Sequence, residues 1–531
     1  MGYWFLLSCG LLYLFLVFVM RVSDYLWWRP KRIEVHFSKQ GIKGPKYHFF
    51  LGNTKELVDL MVKSASQTLP LFHHNILPRV LPFYHHWKKI YGETFIVWFG
   101  PTARLVVSDP LLIREVFISK SESFEKTESP PHVKKLEGDG LLTLEGEKWA
   151  HHRKILTPSF YIDNLKLMVP IMGESMKNML NKWVDISKCD TMEIEVSHWF
   201  QNLTEEIITH AVFGSSYEQG KAIFELHSQK MIHYFASYDK VFIPGYRFFP
   251  TKKNRQSWKL DREIENSSTK LINERIKAYT TEGSMALDEC PKDLLGFMIR
   301  DSIKNETKKT STWDFTTHDI IEECKTLFFA GKHTTSALMT WTTVLLAMHS
   351  KWQELARDEV VREFGAGNVP TKDDVAKLKT LNMILNESLR LYPPVVALLR
   401  RAKCDVELGG CKIPLGTELL MPILAVHHDP ETWGPDATEF NPGRFTQGVA
   451  QAAKNPMAFM PFGLGARRCT GQNLAMLQTK LAIAMILQRF SFVLAPSYQH
   501  APTVVMLLNP QYGAPIVFQR LDKRSSNDQD I

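Results

Sequence analysis

The chain begins with a continuous apolar stretch, and the remainder alternates apolar and polar positions with mostly helical spacing. Residues 1–20 hold no charged side chain, and ~20 apolar residues in a helix cross the ~30 Å core of a bilayer. Basic residues follow at positions 21, 29, 31 and 32, which predicts a cytoplasmic location for what comes after them. A cleaved signal peptide is the rival interpretation, but a basic start and an Ala-x-Ala-like site are both missing. We therefore predict an uncleaved anchor over residues 1–28.

The pattern after the anchor predicts a mainly α fold with small β-sheets (α+β). Pro and Gly residues between 29 and 53 indicate a stiff hinge, residues 54–520 a globular domain, and residues 521–531 a polar tail. The β-branched and aromatic runs at 95–100 and 104–108 predict a β-hairpin around Gly100 and Pro101. Helical patterns dominate after Pro110, and the polar segment 280–313 is predicted to be a surface loop.

Two helices bear on function. One is predicted from Thr316 to about His349, because Thr316 and Asp319 have the spacing of a capping box. Gly331 lies in its interior, where glycine costs about 1 kcal/mol, so we expect another group to lie close to the backbone there. The second helix is predicted over residues 472–487.

Composition and charge narrow the class of protein. The chain is 44% hydrophobic and 23% charged, which is typical of a globular protein. A net charge of +8 without long blocks of like charge argues against nucleic acid and suits an anionic membrane or an acidic partner. The seven cysteines are scattered and form no CxxC pair, which indicates reduced, cytosol-facing thiols.

One cysteine, Cys469, lies in a glycine-rich stretch, residues 461–471, directly before the second helix. A thiolate that lies close under a flat macrocycle needs backbone with little side-chain bulk, which the glycines at 463, 465 and 471 supply. The helix start directs N–H groups and positive dipole toward the sulfur and favours the thiolate. Phe462 can shield the sulfur from water, and Arg467 can reach a propionate of the macrocycle.

The stretch Phe-x-x-Gly-x-Arg-x-Cys-x-Gly, from Phe462 to Gly471, is identified as the haem-thiolate signature of the cytochrome P-450 superfamily. Further stations resemble the family in order and spacing along the whole chain after the anchor: Trp149/Arg153, Gly331/Thr334, Glu387/Arg390 and Arg444. The resemblance implies a triangular, helix-rich domain with haem b between a long central helix and the cysteine loop. Cys469 is then the axial iron ligand.

The resemblance also implies roles for the other stations. Trp149, Arg153, Arg400 and Arg467 are expected to bind the haem propionates. Gly331 and Thr334 are expected where the long helix passes over the haem and opens locally to admit oxygen and water. His333 departs from the family, which commonly has Asp or Glu before the threonine to relay protons; a histidine can relay protons too.

Three more residues are expected to form a structural network. A glutamate flanked by two arginines, if buried, is a satisfied charge network, here Glu387, Arg390 and Arg444. His151 and His152 are expected to be partly exposed and not metal ligands.

Several stretches resemble the plant microsomal clan of the family, and in particular brassinosteroid-inactivating 26-hydroxylases. These stretches are residues 36–42, 136–142, 149–154, 242–250 and 499–503. Substrate contacts are expected by family position at residues 129–131, 235–237, 327–329, 395–397 and 504–506. Because they are mostly apolar, they suit a steroid or another hydrophobic ligand.

The resemblance implies an NADPH-dependent monooxygenase that receives electrons from NADPH–cytochrome P-450 reductase and acts on a hydrophobic small molecule and dioxygen. It implies a single-pass protein of the endoplasmic reticulum membrane. The expected reaction is hydroxylation and inactivation of a brassinosteroid, with cytokinins, gibberellins and fatty acids as alternative substrates. A haem-thiolate isomerase or dehydratase, and a tethered binding protein without catalysis, are the other functional classes. The intact Thr334 and cysteine loop favour the monooxygenase.

Overall fold

The computed structural model describes residues 2–129, 131–186, 190–235, 248–281, 293–308, 315–365 and 370–521. The chain forms two compact units. Unit one comprises residues 1–127, 390–468 and 499–511, and unit two comprises residues 128–389, 469–498 and 512–531.

The helices among the described residues are α1 Gly2–Ser23, α2 Arg29–Lys39, α3 Thr54–Ala65, α4 Leu77–Val80, α5 Pro82–Tyr91, α6 Pro110–Arg114, α7 Pro131–Glu137, α8 Gly146–Leu156, α9 Ile162–Lys166, α10 Val169–Ile186, α11 Val196–Phe213, α12 Tyr217–Phe235, α13 Lys252–Thr281, α14 Leu294–Lys308, α15 Thr317–Met348, α16 Ser350–Phe364, α17 Lys372–Lys377, α18 Lys379–Leu391, α19 Ile423–His427, α20 Pro430–Trp433 and α21 Gln472–Arg489. The strands are β1 Phe95–Phe99, β2 Thr102–Val106, β3 Phe124–Glu125, β4 Thr191–Glu195, β5 Leu398–Ala402, β6 Val406–Leu408, β7 Cys411–Ile413, β8 Glu418–Met421, β9 Phe490–Leu494, β10 Pro502–Val505, β11 Leu507–Pro510 and β12 Pro515–Arg520. This mainly α content with small sheets confirms the predicted fold class.

Unit one is built on a mixed sheet of order β1-β2-β8-β5-β3. Strands β1 and β2 pair antiparallel from Phe95↔Val106 to Phe99↔Thr102, which confirms the predicted hairpin with its second strand two residues earlier. Strand β8 runs parallel to β2 and antiparallel to β5. The sheet thus places β5, which carries Arg400, next to β8 and one strand away from the hydrophobic hairpin. Two short ribbons, β6-β7 and β10-β11, complete the strands of this unit.

A continuous helical segment joins the N-terminal stretch to α2, so the first part of the predicted hinge is helical. A π-helical turn, Asp24–Trp28, connects α1 to α2. Pro30 has no N–H to donate to the carbonyl four residues earlier, and the Tyr47 hydroxyl donates to that carbonyl, on Leu26, instead. Among the described residues, one helix, Leu6–Lys39, is long and apolar enough to cross a membrane, with a mean hydropathy of 2.1 in its test window.

Unit two is organised around α15, which packs along α11. Thr316 and Asp319 form the predicted capping box, with the Asp319 N–H donating to Thr316 Oγ1 over 3.1 Å. The helix ends at Met348 with His349 as its C-cap, in agreement with the predicted end. A small sheet of order β4-β12-β9 also belongs to this unit.

The prediction of a surface loop over 280–313 is wrong for the part that forms α14. Leu294, Leu295, Met298 and Ile299 are all buried, and their spacing covers one side of a helix. Asp293 accepts the Gly296 N–H over 2.7 Å at the helix start. The predicted tail from 522 onward lies outside the described residues.

Arg390 and Arg444 both bind the backbone of the segment from His427, at the end of α19, to Glu439. Buried Arg390 donates to the carbonyls of His427, Ala437 and Glu439 over 2.8, 2.5 and 3.1 Å. Arg444 donates to the Trp433 carbonyl over 3.0 Å and pairs with Asp436 over 2.6 Å. Its hydrogen bond lowers the Asp436 pKa. Both arginines therefore fix this segment through several fixed donors each.

Arg390→Lys should lower the free energy of unfolding by about 3 kcal/mol or more, because one ammonium cannot serve three separated buried carbonyls. The matched control is Arg362→Lys, since the Arg362 side chain is 68% exposed and pairs only loosely with its neighbour Glu363 at 3.3 Å; its change should stay within about 0.5 kcal/mol. Denaturant unfolding of the purified variants measures both. Equal unfolding midpoints for the two variants would contradict this role of Arg390.

Candidate active site

Cys469 lies three residues before α21, and its residue is exposed. Gly471 is the N-cap of α21. A Cβ atom on Gly471 would lie 3.9 Å from the Cys469 Sγ, so the glycine leaves this side of the sulfur bare. The free N–H groups and positive dipole of the helix start favour a thiolate at this position. The predicted helix start at Gln472 is confirmed.

The loop before Cys469 is shaped by two glycines with positive φ, Gly463 and Gly465. A Cβ on Gly465 would lie 2.2 Å from the Phe117 carbonyl oxygen, so only glycine allows this close approach. The Arg400 guanidinium carbon lies 4.5 Å from the centre of the Phe117 ring. Phe117, which the sequence interpretation missed, thus brings buried Arg400 to the loop that carries Phe462 and Arg467.

A buried histidine supports the same loop from its N-terminal side. The Met460 N–H donates to His427 Nε2 over 3.1 Å, and the His427 carbonyl accepts from Arg390. The His427 and Phe459 rings stack with centroids 5.6 Å apart. His427 therefore connects Arg390 to the residues leading to Phe462. Its position in the sequence gave no sign of this role, because the contacts are long-range.

Trp149 and Arg153 lie on α8, as predicted, with the guanidinium carbon 5.6 Å from the indole centre. Burial lowers the Arg153 pKa, and the charge of Cys469 raises it. Arg153 and Cys469 therefore lie near each other within unit two, although 316 positions separate them in the sequence. The half-buried indole and guanidinium are both hydrogen-bond donors for an anion.

The two histidines between them differ in environment. His151 is half-buried, and its Nε2 lies 2.9 Å from Asp301 Oδ2 on α14. His152 is buried, with Nδ1 2.7 Å from Glu323 Oε1. The prediction of partial exposure is therefore wrong for His152, because its carboxylate partner lies on α15, far away in the sequence. The described residues contain no group of three or more His, Cys, Asp or Glu side chains that could hold a metal ion.

Helix α15 has one solvent-exposed residue in its interior. Ala330 is the one exposed residue between Asp319 and Met348, a stretch that the structure describes in full. Thr334 follows one turn later, and its Oγ1 donates to the Ala330 carbonyl over 2.6 Å. The helix stays α-helical through this region, without the local opening that the resemblance implies. Open space therefore adjoins the Ala330–Thr334 face.

Gly331 lies on an adjacent side of the helix, about 100° round the axis from Ala330. A Cβ atom on Gly331 would lie 2.9 Å from both Cδ1 and Cγ1 of Ile208 on α11. The close neighbour that the sequence pattern predicted is thus a side chain of α11.

His333 lines a cavity of about 760 Å³ bordered by α11, α12 and α15. Its Nε2 is buried and has no hydrogen-bond partner. Burial and the neighbouring Lys332 charge lower the His333 pKa to about 4, so the imidazole is neutral near pH 7. In the same cavity, Lys332 Nζ donates to Ser228 Oγ over 2.8 Å and to Glu205.

The residues expected to contact substrate divide into core and surface. Phe328 packs into the core, 4.4 Å from the Phe224 ring centre, so it is not placed for a ligand, whereas Phe329 is half-exposed. Val505 and Met506 form the tip of the β10–β11 ribbon, where Met506 has a φ of 68°. Residues 130, 236 and 237 lie outside the described residues.

The residues present fit a haem. Cys469 offers an exposed thiol at a helix start, Arg153 lies near it, and Ala330 marks open space on α15. A haem with two carboxylates needs a thiolate ligand, cationic hydrogen-bond donors and an uncovered helix face beside it.

Comparison with known proteins agrees with this chemistry. The family model described as cytochrome P-450 matches residues 67–516. Cytochrome P-450 734A1 of Arabidopsis thaliana is 61% identical over 505 residues, which cover 95% of each chain. Cytochrome P-450 734A6 of Oryza sativa subsp. japonica is 56% identical over 94% of this chain and 93% of the relative. Cytochrome P-450 72A397 of Kalopanax septemlobus is 42% identical over 94% of this chain and 95% of the relative.

The haem-thiolate loop, the α15 face and these extended similarities lead to one conclusion: the chain belongs to the cytochrome P-450 family and is a haem b-dependent monooxygenase.

Proposed function

We propose that the chain hydroxylates the side chain of a brassinosteroid near its terminal carbons and so inactivates the hormone. The five stretches that resemble 26-hydroxylases support this proposal. Of these, residues 149–154 lie on α8, where His152 binds Glu323 of α15. Leu141, in the stretch 136–142, donates its N–H to the same glutamate. A rigid steroid ring system held by apolar contacts can leave its flexible tail at the reacting centre. Binding energy from the rings then positions the reacting carbon.

Within this proposal, Cys469 is the axial ligand, Phe462 shields its sulfur, and Gly471 leaves room beside it. Trp149, Arg153, Arg400 and Arg467 bind the propionates, while Glu387, Arg390 and Arg444 keep the cysteine loop in place. The burial of Glu387 and Arg390 supports the last role. When bound, the haem supplies the activation of dioxygen and the insertion of one oxygen atom into a C–H bond.

In the same proposal, Thr334 and His333 deliver protons for oxygen activation. Because Thr334 Oγ1 donates its own proton to Ala330, its lone pairs can accept a hydrogen bond on the open face. Neutral His333 lines the cavity beside α12 and can accept a proton at one ring nitrogen and release one from the other. Gly331 lets α11 pack closely and so holds this part of α15.

The electrons come from NADPH through a membrane-bound reductase, and the chain is a single-pass protein of the endoplasmic reticulum with its catalytic part in the cytoplasm. The apolar helix Leu6–Lys39 and the basic residues after position 20 support this location. Exposed Arg468, beside Cys469, suits an acidic docking surface.

Cys469→Ser should lose most haem and the red-shifted Soret band of the reduced carbon monoxide adduct, because that band needs a strongly donating sulfur. Cys404→Ser is the matched control, since Cys404 is a second exposed free cysteine, and it should keep the band. Absorption spectra of both purified variants decide the assignment. A thiolate-type spectrum in Cys469→Ser would refute it.

Thr334→Ala should keep substrate binding and NADPH oxidation but divert electrons to hydrogen peroxide. Product formed per NADPH should fall about tenfold or more, because a positioned proton-transfer group contributes about 10²–10⁴-fold to a rate. His333→Ala should share this loss if His333 relays protons. Thr343→Ser is the control, because buried Thr343 bonds only within α15, to the Met339 carbonyl. Unchanged coupling in Thr334→Ala would remove the proposed role of the hydroxyl.

Microsomes that contain the chain and a reductase should convert brassinosteroids, in the presence of NADPH, to products heavier by one oxygen atom. Cytokinins, gibberellins and fatty acids tested in parallel by mass spectrometry should be turned over at least about tenfold more slowly, because they cannot fill a steroid pocket. Turnover of one of these classes without any oxidised steroid would move the substrate to that class. Conversion without NADPH would favour an isomerase or dehydratase.

A further inference from the structure

Two polar contacts in matching register hold α8 on α15. Lys148 Nζ lies 2.5 Å from Asp319 Oδ1, and His152 Nδ1 lies 2.7 Å from Glu323 Oε1. Lys148 and His152 are four residues apart on α8, as Asp319 and Glu323 are on α15, so each pair projects from one side of its helix. We call these four residues the carboxylate ladder.

The inner rung of the ladder is fully buried. Glu323 is 0% exposed and His152 1%. The second carboxylate oxygen of Glu323 accepts the Leu141 N–H over 3.1 Å, and a Cβ on Gly140 would lie 2.5 Å from that oxygen. A buried carboxylate with both oxygens bonded cannot move without breaking several contacts. Glu323 therefore joins α15, α8 and the 138–141 loop at one point.

Helix α8 needs its tertiary contacts, because an isolated helix of 11 residues is marginal in water. Its buried residues are His152 and Leu156, and its other residues are half-buried or exposed. The helix contacts α14, where His151 Nε2 lies 2.9 Å from Asp301 Oδ2. The ladder supplies polar contacts that fix α8 on α15.

Each ladder residue of α8 directly precedes a residue proposed to bind a propionate. Trp149 follows Lys148, and Arg153 follows His152. Because a helix turns ~100° per residue, the row Trp149–Arg153 lies beside the ladder row and moves with it. We propose that the carboxylate ladder, with Glu323 and His152 as positioning residues, sets the place of Trp149 and Arg153 against the haem carboxylates.

This inference rests on the proposed propionate role of Arg153. If Glu323 is truncated, His152 and the Leu141 N–H lose a buried partner and α8 shifts on α15. Arg153 then compensates the propionate charge less well. The haem should dissociate faster, and its reduction potential should fall because uncompensated negative charge near the iron favours the oxidised state.

The experiment uses the full, haem-loaded chain and measures two quantities: the rate of haem transfer to excess apomyoglobin, and the reduction potential of the loaded fraction. Arg153→Ala and Glu323→Ala should each accelerate haem loss about tenfold or more, as is typical when a supporting partner of a metal site is removed, and each should lower the potential. Glu323→Gln keeps an acceptor for Leu141 and should give a smaller change. The control is His151→Gln on the same helix, whose partner Asp301 lies on α14; its rate should stay within about twofold.

The double variant Arg153→Ala/Glu323→Ala separates positioning from general stabilisation. If Glu323 acts through Arg153, the double variant should lose haem about as fast as the faster single variant. The proposal would be overturned if the increases in haem-loss rate of the two single variants multiplied in the double variant. It would also be overturned if Glu323→Ala lost haem as slowly as the parent. An unaffected Arg153→Ala would instead remove the proposed propionate role itself.

If Glu323→Ala yields no folded protein, Glu323→Gln and Lys148→Met replace it. Each is then measured alone and combined with Arg153→Ala. Lys148→Met removes the donor of the outer rung and keeps a helix-forming side chain. Both should accelerate haem loss and be non-additive with Arg153→Ala. Multiplicative or absent effects in both would overturn the proposal.

Discussion

Helix α15 must be buried along nearly its whole length and still leave one bare position. Two small neighbouring residues meet these opposite demands. Gly331 lets Ile208 of α11 approach to within 2.9 Å of where a Cβ would be, while Ala330 is exposed and leaves open space beside Thr334. A larger side chain at either position would disturb packing or fill the space. The open Ala330–Thr334 face therefore lies directly beside a closely packed side of the same helix.

Buried polar and charged groups fix other elements within each unit. In unit one, Arg390 spans three carbonyls and His427 supports the residue before the cysteine loop. In unit two, Glu323 ties α8 and the 138–141 loop to α15. Each group has several directional partners, so these contacts specify position as well as contributing to stability. Such precision suits a protein whose cofactor carries the chemistry and whose own task is orientation.

The sequence predicted what depends on local rules. The capping box of Thr316 and Asp319 located α15, the apolar run at 95–100 located the hairpin, and Gly471 marked the start of α21. Contacts between distant segments were not predictable in this way. His152 is buried against a carboxylate on α15, and Phe117 contacts both Arg400 and Gly465. The buried leucines of α14 were not recognised as part of a helix, because a polar run follows them in the sequence. Gly331, inside α15, correctly predicted a close neighbour, but the spacing of residues in the sequence could not identify that neighbour as Ile208.

Labelled dioxygen tests most directly whether the open face of α15 serves oxygen insertion into a steroid. The purified chain, a reductase, NADPH and a brassinosteroid are incubated under oxygen-18 gas in ordinary water, and the product is fragmented in a mass spectrometer. We predict one oxygen-18 atom in a new hydroxyl group on the terminal part of the side chain. An unlabelled product, or one labelled only from oxygen-18 water, would contradict the monooxygenase account, and a label in the ring system would contradict the proposed orientation.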